Sequence, residues 1–220
     1  MSRQLAFDLP VAELYRREDF FVSDVNRLAL AAVDDWRDWP GGKMIVVGPS
    51  GAGKTHLARI WADQSLALVL EAGALAGLDL GALPQAVVVE HAELLGGNAL
   101  AQEALFHLHN RVLPAGHLLI TAASPPRDWG LTLPDLTSRM QAAALTRLDA
   151  PDDTLLAAVL IKLFSDRQIA VPPTLIPYLL VRMDRSIGAA RDLVAALDAR
   201  ALEQGRAVSR TLAAELLDKP

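Results

Sequence analysis

Gly48-Pro49-Ser50-Gly51-Ala52-Gly53-Lys54-Thr55 fits the pattern of a glycine, four residues of any kind, Gly-Lys and then Ser or Thr. The apolar run Met44-Ile45-Val46-Val47 leads into it, and His56-Leu57-Ala58-Arg59-Ile60-Trp61 continues it as a helical pattern. Strand, loop and helix in that order are what a phosphate-binding loop requires. Glycines let successive backbone N–H groups converge on phosphate oxygens, and the helix N-terminus adds partial positive charge. The Lys54 ammonium then reaches the β- and γ-phosphates, and the Thr55 hydroxyl reaches a magnesium ion. His56, opening the helix, joins residues 48–55 as a candidate nucleotide contact. With glycine at ~7% of ordinary composition, a chance match in a chain of this length is on the order of one percent.

Outward from this loop, apolar runs of strand length alternate with helical stretches. The runs are 44–47, 66–70, 86–89, 118–122 and 142–148. They are continuous rather than alternating, which points to a parallel sheet covered on both faces. Upstream, 25–39 reads as a helix with Leu28, Ala32 and Trp36 on one stripe, stopped by Pro40-Gly41-Gly42. After Pro151 the pattern is helical only, at 152–167, 174–183, 187–204 and 211–217. The expected organisation is a tail at 1–12, an α/β nucleotide-binding domain at 13–149 and a helical lid domain at 150–220.

A second acidic position is expected at the end of another apolar strand. There, Val87-Val88-Val89 runs into Glu90-His91. Glu90 is the candidate magnesium or water carboxylate. His91 stands where a second carboxylate would polarise the attacking water, and a neutral imidazole supplies no negative charge. Nucleotide binding is therefore expected with weak intrinsic hydrolysis, and Glu93 lies close enough to compete for the acidic role.

The 220 residues are 52% hydrophobic and 21% charged, enough for a sizeable core. Lys+Arg is 21 against Asp+Glu 26, so bulk electrostatic binding to nucleic acid is not expected. Cysteine is absent, which removes disulfides, thiolate zinc sites and thiol nucleophiles and suits a reducing cytoplasm. No apolar run approaches the ~18 residues of a membrane span. His107 and His109 lie two apart, which does not put both on one helical face, so no metal site is expected there.

The order of these features resembles the AAA+ module of the DnaA replication-initiator family, over about residues 20–202. Phe20-Phe21-Val22 with Asn26 is similar to the box that lines the adenine pocket, which makes Phe21, Val22 and Asn26 candidate base contacts. Glu90-His91 replaces the family's paired aspartates. Leu119-Ile120-Thr121-Ala122-Ala123-Ser124 looks like the sensor 1 strand, with Thr121 and Ser124 as candidates. Asp135-Leu136-Thr137-Ser138-Arg139 resembles the box that ends in an arginine finger, and Arg191 lies in a stretch similar to the sensor 2 helix. The resemblance implies that Arg139 acts in trans on a neighbour's nucleotide and that Arg191 reaches back to the chain's own phosphates.

The resemblance also bears on partners. Gln4-Leu5-Ala6-Phe7-Asp8-Leu9 is similar to the motif by which peptides dock on the DNA polymerase III sliding clamp. Gln4 would supply hydrogen-bond specificity and Leu5, Phe7 and Leu9 apolar burial. The sequence holds no basic helix-turn-helix after the lid, so no sequence-specific DNA contact is expected. The implied function is that of a short regulatory homologue. It would bind ADP or ATP with magnesium and the sliding clamp, and would promote hydrolysis of ATP held by the DnaA initiator, with self-association open. A robust ATPase of its own is not expected. The alternatives are a helicase-loader-like AAA+ ATPase and a self-contained P-loop kinase.

Overall fold

A computed structural model describes residues 17–79, 81 and 83–217. Five strands form one parallel sheet: β1 (Lys43–Val47), β2 (Leu68–Glu71), β3 (Ala86–Glu90), β4 (His117–Ala122) and β5 (Ala144–Arg147), in the order β2-β3-β4-β1-β5. The register sets Val47 opposite Ala122 on one side and Arg147 on the other. Successive side chains of a strand point to opposite faces. Ile45, Val47, Val87, Val89, Leu118 and Ile120 therefore fill one core, while Met44, Val46, Ala86, Val88 and Leu119 fill the other.

Helices α1 (Arg27–Asp34) and α2 (Lys54–Ser65) cover the second face, and α3 (Ala99–Val112) and α4 (Pro134–Gln141) cover the first. The chain leaves β1 toward α2 on one face and leaves β4 toward α4 on the other. The carboxyl ends of these adjacent strands thus make the topological switch point at which open α/β sheets form their crevice.

The last helices are α5 (Asp153–Asp166), α6 (Leu175–Leu180), α7 (Ile187–Gln204) and α8 (Arg210–Leu217). They bury their own cluster, centred on Leu160, Phe164, Leu179, Val194, Leu197 and Leu212. Three carry side-chain N-caps: the Asp152 carboxylate accepts from Leu155 N at 2.7 Å, the Ser186 hydroxyl from Ala189 N at 2.9 Å and the Ser209 hydroxyl from Leu212 N at 3.3 Å.

Two expectations are corrected. The helix expected over 25–39 ends at Asp34, and Trp36 falls in a separate 3₁₀ turn, Trp36–Asp38. The Leu28 stripe consequently spans two elements: Leu28 is 70% exposed, and Ala29, Leu30 and Val33 form the buried face. The run at 66–70 shifts to Leu68–Glu71 because Leu66 ends α2 in the left-handed region, φ 56°, and is 85% exposed.

Candidate nucleotide-binding site

Residues 48–55 connect β1 to α2 as a glycine-shaped loop. Gly53, the N-cap of α2, has φ +100° and Gly51 has φ +73°, both in the left-handed region that glycine adopts freely. A Cβ on Gly51 would also lie 2.3 Å from the Ser186 Cβ, so angle and space both require glycine there. The Gly51 carbonyl accepts a hydrogen bond from Ile187 N at 2.9 Å, which seats the start of α7 on the loop. The Lys54 ammonium donates to the carbonyls of Gly48 at 2.7 Å and Pro49 at 2.9 Å. Burial lowers its pKa, and the carboxylates of Glu93 and then Glu90 pull it back up.

A cavity of about 280 Å³ opens over the loop. It brings together Ser50, Gly51, Gly53, Lys54, Thr55 and His56 from the loop and α2 with Arg191 from α7. All seven are candidates from the sequence. Gly48, Pro49 and Ala52 support the loop without lining the cavity. Two helix N-termini, of α2 and α7, meet here with two cationic side chains, a donor set that suits a polyphosphate.

The acidic wall differs from the sequence reading. Glu90, 1% exposed, does not line the cavity; His91 and Glu93 do. The cause is strand parity. Glu90 follows Ala86 and Val88 onto the face packed by α2, and there Arg59 Nη2 donates to its Oε2 at 3.4 Å. His91 then turns the chain with φ 59°, and its Nδ1 lies 2.8 Å from Glu71 Oε2. The 3₁₀ turn Ala92–Leu95 brings Glu93 round so that its Oε2 accepts from Ala123 N at 2.9 Å. Thr121 is buried in β4, where its hydroxyl oxygen accepts from His91 N, while the Ser124 carbonyl accepts from Trp129 Nε1 at 2.7 Å.

The loop and Arg191 fit a nucleotide. A magnesium ion fits less well. Thr55 faces the cavity, whereas the carboxylate of Glu90 is buried against a guanidinium. Glu90, His91 and Glu93 are each engaged with a protein partner. The purified protein is accordingly expected to turn over ATP far more slowly than ~1 s⁻¹, the low end of ordinary enzyme rates. A phosphate-release assay measures this, and a rate of that order would overturn the expectation.

The remaining candidates fall elsewhere. Asn26 is buried and pins the turn before α1: its amide donates to the Phe21 carbonyl at 2.7 Å, and its Oδ1 accepts from Ser23 N at 2.8 Å. Phe21 is half-buried and Val22 exposed, and neither lines the cavity. Phe20 is buried instead, edge-on to the His56 ring at 5.3 Å. Arg139 sits near the end of α4 with its guanidinium 4.9 Å from the centre of the Phe106 ring, away from the cavity. His109 is buried beside Lys43, and its pKa is lowered to about 4 by burial, then by Lys43, with Arg139 a smaller cause against a raising bond from Asn110. The tail candidates Gln4, Leu5, Phe7 and Leu9 lie outside the described residues.

No protein-family model matches the chain. Solved structures do. Domain III of the Thermotoga maritima replication initiation protein DnaA superposes with a TM-score of 0.82 at 20% identity, over 94% of this chain and 98% of that one. The fold is that of an AAA+ module. AMPPCP-bound DnaA from Aquifex aeolicus matches at 0.72 and 18% identity, over 86% of this chain and 66% of that one. A RuvB mutant from Thermotoga maritima matches at 0.67 and 18% identity, over 90% and 70%. No helix among the described residues is long and apolar enough to cross a membrane.

Proposed function

We propose that the protein is a replication regulator of the DnaA family, similar to Hda, which binds an adenine nucleotide and acts on the initiator DnaA in the cytoplasm. The observation that carries this reading is the phosphate loop closed over by α7 and Arg191, on a fold shared with DnaA domain III over 94% of the chain. Lys54, the loop amides and Arg191 would hold the phosphates of ADP or ATP. The turn pinned by Asn26 would lie toward the base, with Phe21 and Val22 beside it. A magnesium ion would come with the phosphates onto the Thr55 hydroxyl. Arg139 would be presented to ATP held by DnaA and promote its hydrolysis, lowering the initiator's activity.

The tail would tether the protein to the sliding clamp through Gln4, Leu5, Phe7 and Leu9. Burying a phenylalanine side chain contributes about 1.5–3 kcal/mol, and tenfold in affinity is about 1.4 kcal/mol. Phe7→Ala is therefore expected to weaken clamp binding about tenfold or more and to leave ADP affinity unchanged, as read by titration against purified clamp. Full clamp binding after deletion of residues 1–10 would remove the tail from this reading. The whole proposal is tested by following turnover of DnaA-bound ATP with and without this protein and DNA-loaded clamp. Faster turnover only when both are present is expected, and no acceleration would overturn it.

A further inference from the structure

Glu90 is an almost fully buried carboxylate with one protein cation beside it. Arg59 lies one helical turn beyond Thr55 on α2, and its Nη2 reaches Glu90 Oε2 at 3.4 Å. The Arg59 side chain is 42% exposed and that of Glu90 only 1%. The pairing is incomplete: Glu90 Oε1 and Arg59 Nε are both buried with no hydrogen-bond partner. The Lys54 ammonium feels Glu90 through space but is bonded to the carbonyls of Gly48 and Pro49. A buried carboxylate is tolerated when its charge is compensated, and removing one partner of such a pair is costly.

We infer that the Arg59 guanidinium takes the place of a divalent cation beside Glu90, so that nucleotide binding by this chain is nearly independent of magnesium. The inference rests on the nucleotide reading of the cavity. An incoming polyphosphate meets a wall that carries Glu93 as well as Lys54 and Arg191, with the buried Glu90 behind it, near enough for its charge to act on Lys54. A divalent ion there would screen phosphate from carboxylate. Arginine stays protonated at every working pH and offers planar donors to a carboxylate, so it supplies the screening permanently. It cannot bridge phosphate oxygens as an ion does, so Arg59 is a positioning residue that keeps Glu90 neutralised and away from the cavity.

The experiment titrates ADP into the full chain in excess magnesium and in EDTA. Affinities within about threefold of each other are expected for the parent protein, whereas a loss of tenfold or more in EDTA overturns the inference. Arg59→Gln is expected to keep its affinity in magnesium and to lose about tenfold in EDTA, where Glu90 repels the phosphates unscreened. An unchanged ratio in that variant overturns the inference as well. Arg59→Gln leaves a buried charge unpaired, so the double variant Arg59→Gln/Glu90→Gln, which removes both charges, guards against simple misfolding. It is expected to bind equally in the two buffers, and a tenfold loss in EDTA would count against the inference. Absence of ADP binding in both buffers would overturn the nucleotide reading itself, whereas strong binding that depends on magnesium would overturn only the role of Arg59.

Discussion

Replacing Lys54 by alanine is expected to weaken ADP and ATP binding about 100-fold or more while the fold stands. A hydrogen bond to a charged group contributes about 1.5–3 kcal/mol, and an ammonium facing two phosphates makes more than one. The site is also half-enclosed, so the Coulomb attraction is screened less than it would be in open water. Lys54 is the loop's own cation, and burial already lowers its pKa against the pull of Glu93 and Glu90. What alanine costs the empty protein is smaller: one donation to the carbonyl of the exposed Pro49, which water can replace, and one to the carbonyl of the buried Gly48. The melting temperature should therefore fall little. Isothermal titration with both nucleotides checks the affinity and a thermal melt checks the fold. Binding within threefold of the parent would make the loop a structural turn.

The three central strands, β1, β3 and β4, were legible because each is buried on both faces and so written as an uninterrupted apolar run, all five residues of β3 being buried, whereas the edge strands β2 and β5 are only partly buried. Continuous runs predict existence well and ends poorly. Leu66 is apolar and adjoins such a run, yet it serves as the left-handed end of α2, a role that depends on backbone angle rather than side-chain type. Periodicity failed at α1 for a related reason. Leu28, Ala32 and Trp36 keep helical spacing across a break at Asp35, and only the residues before the break share one helix. Trp36 is held by its edge-on contacts with Trp61 and His117 instead.

Within the site, the loop residues were legible because the motif prescribes backbone shape. The acidic wall was not. Counting along Val87-Val88-Val89-Glu90 gives the last residue as the end of a strand, but the cavity lies beyond the strand. Period-two parity, which puts Glu90 with Ala86 and Val88 against α2, was the available signal, and it points to Arg59 as a neighbour. Glu93 depends on the His91 turn and the 3₁₀ segment after it, whose geometry has no mark in the sequence. Ile187 and Gly188 line the cavity because Ser186 caps α7 against Gly51, a contact between residues 135 apart in the chain.

Arg139→Ala is expected to abolish stimulation of DnaA-bound ATP hydrolysis while sparing the protein's own nucleotide and clamp binding. Position argues for action in trans. Arg139 is two residues before the end of α4 at Gln141, and three residues beyond that end Ala144 pairs with Met44 near the start of β1. The phosphate loop leaves the other end of β1 at Gly48, four residues on from Met44 and about 13 Å away at about 3.3 Å per residue. Its guanidinium rests on the Phe106 ring and lies close enough to Lys43 to lower that ammonium's pKa, although burial of Lys43 is the larger cause. A cation over an aromatic ring at a partly exposed site contributes about 0.5–1 kcal/mol, so its removal costs little stability and also relieves repulsion on Lys43. A guanidinium aimed at a neighbour's γ-phosphate is worth roughly 10³–10⁵ in hydrolysis rate, so the loss should be near complete. Arg139→Lys should restore little, because an ammonium lacks the planar fork. Single-turnover hydrolysis of DnaA-bound ATP with clamp on DNA measures the effect, and ADP titration of the variant runs beside it. Full stimulation by the alanine variant, or loss of its own ADP affinity, would overturn a trans role: the first makes Arg139 dispensable, the second makes it a ligand of its own site.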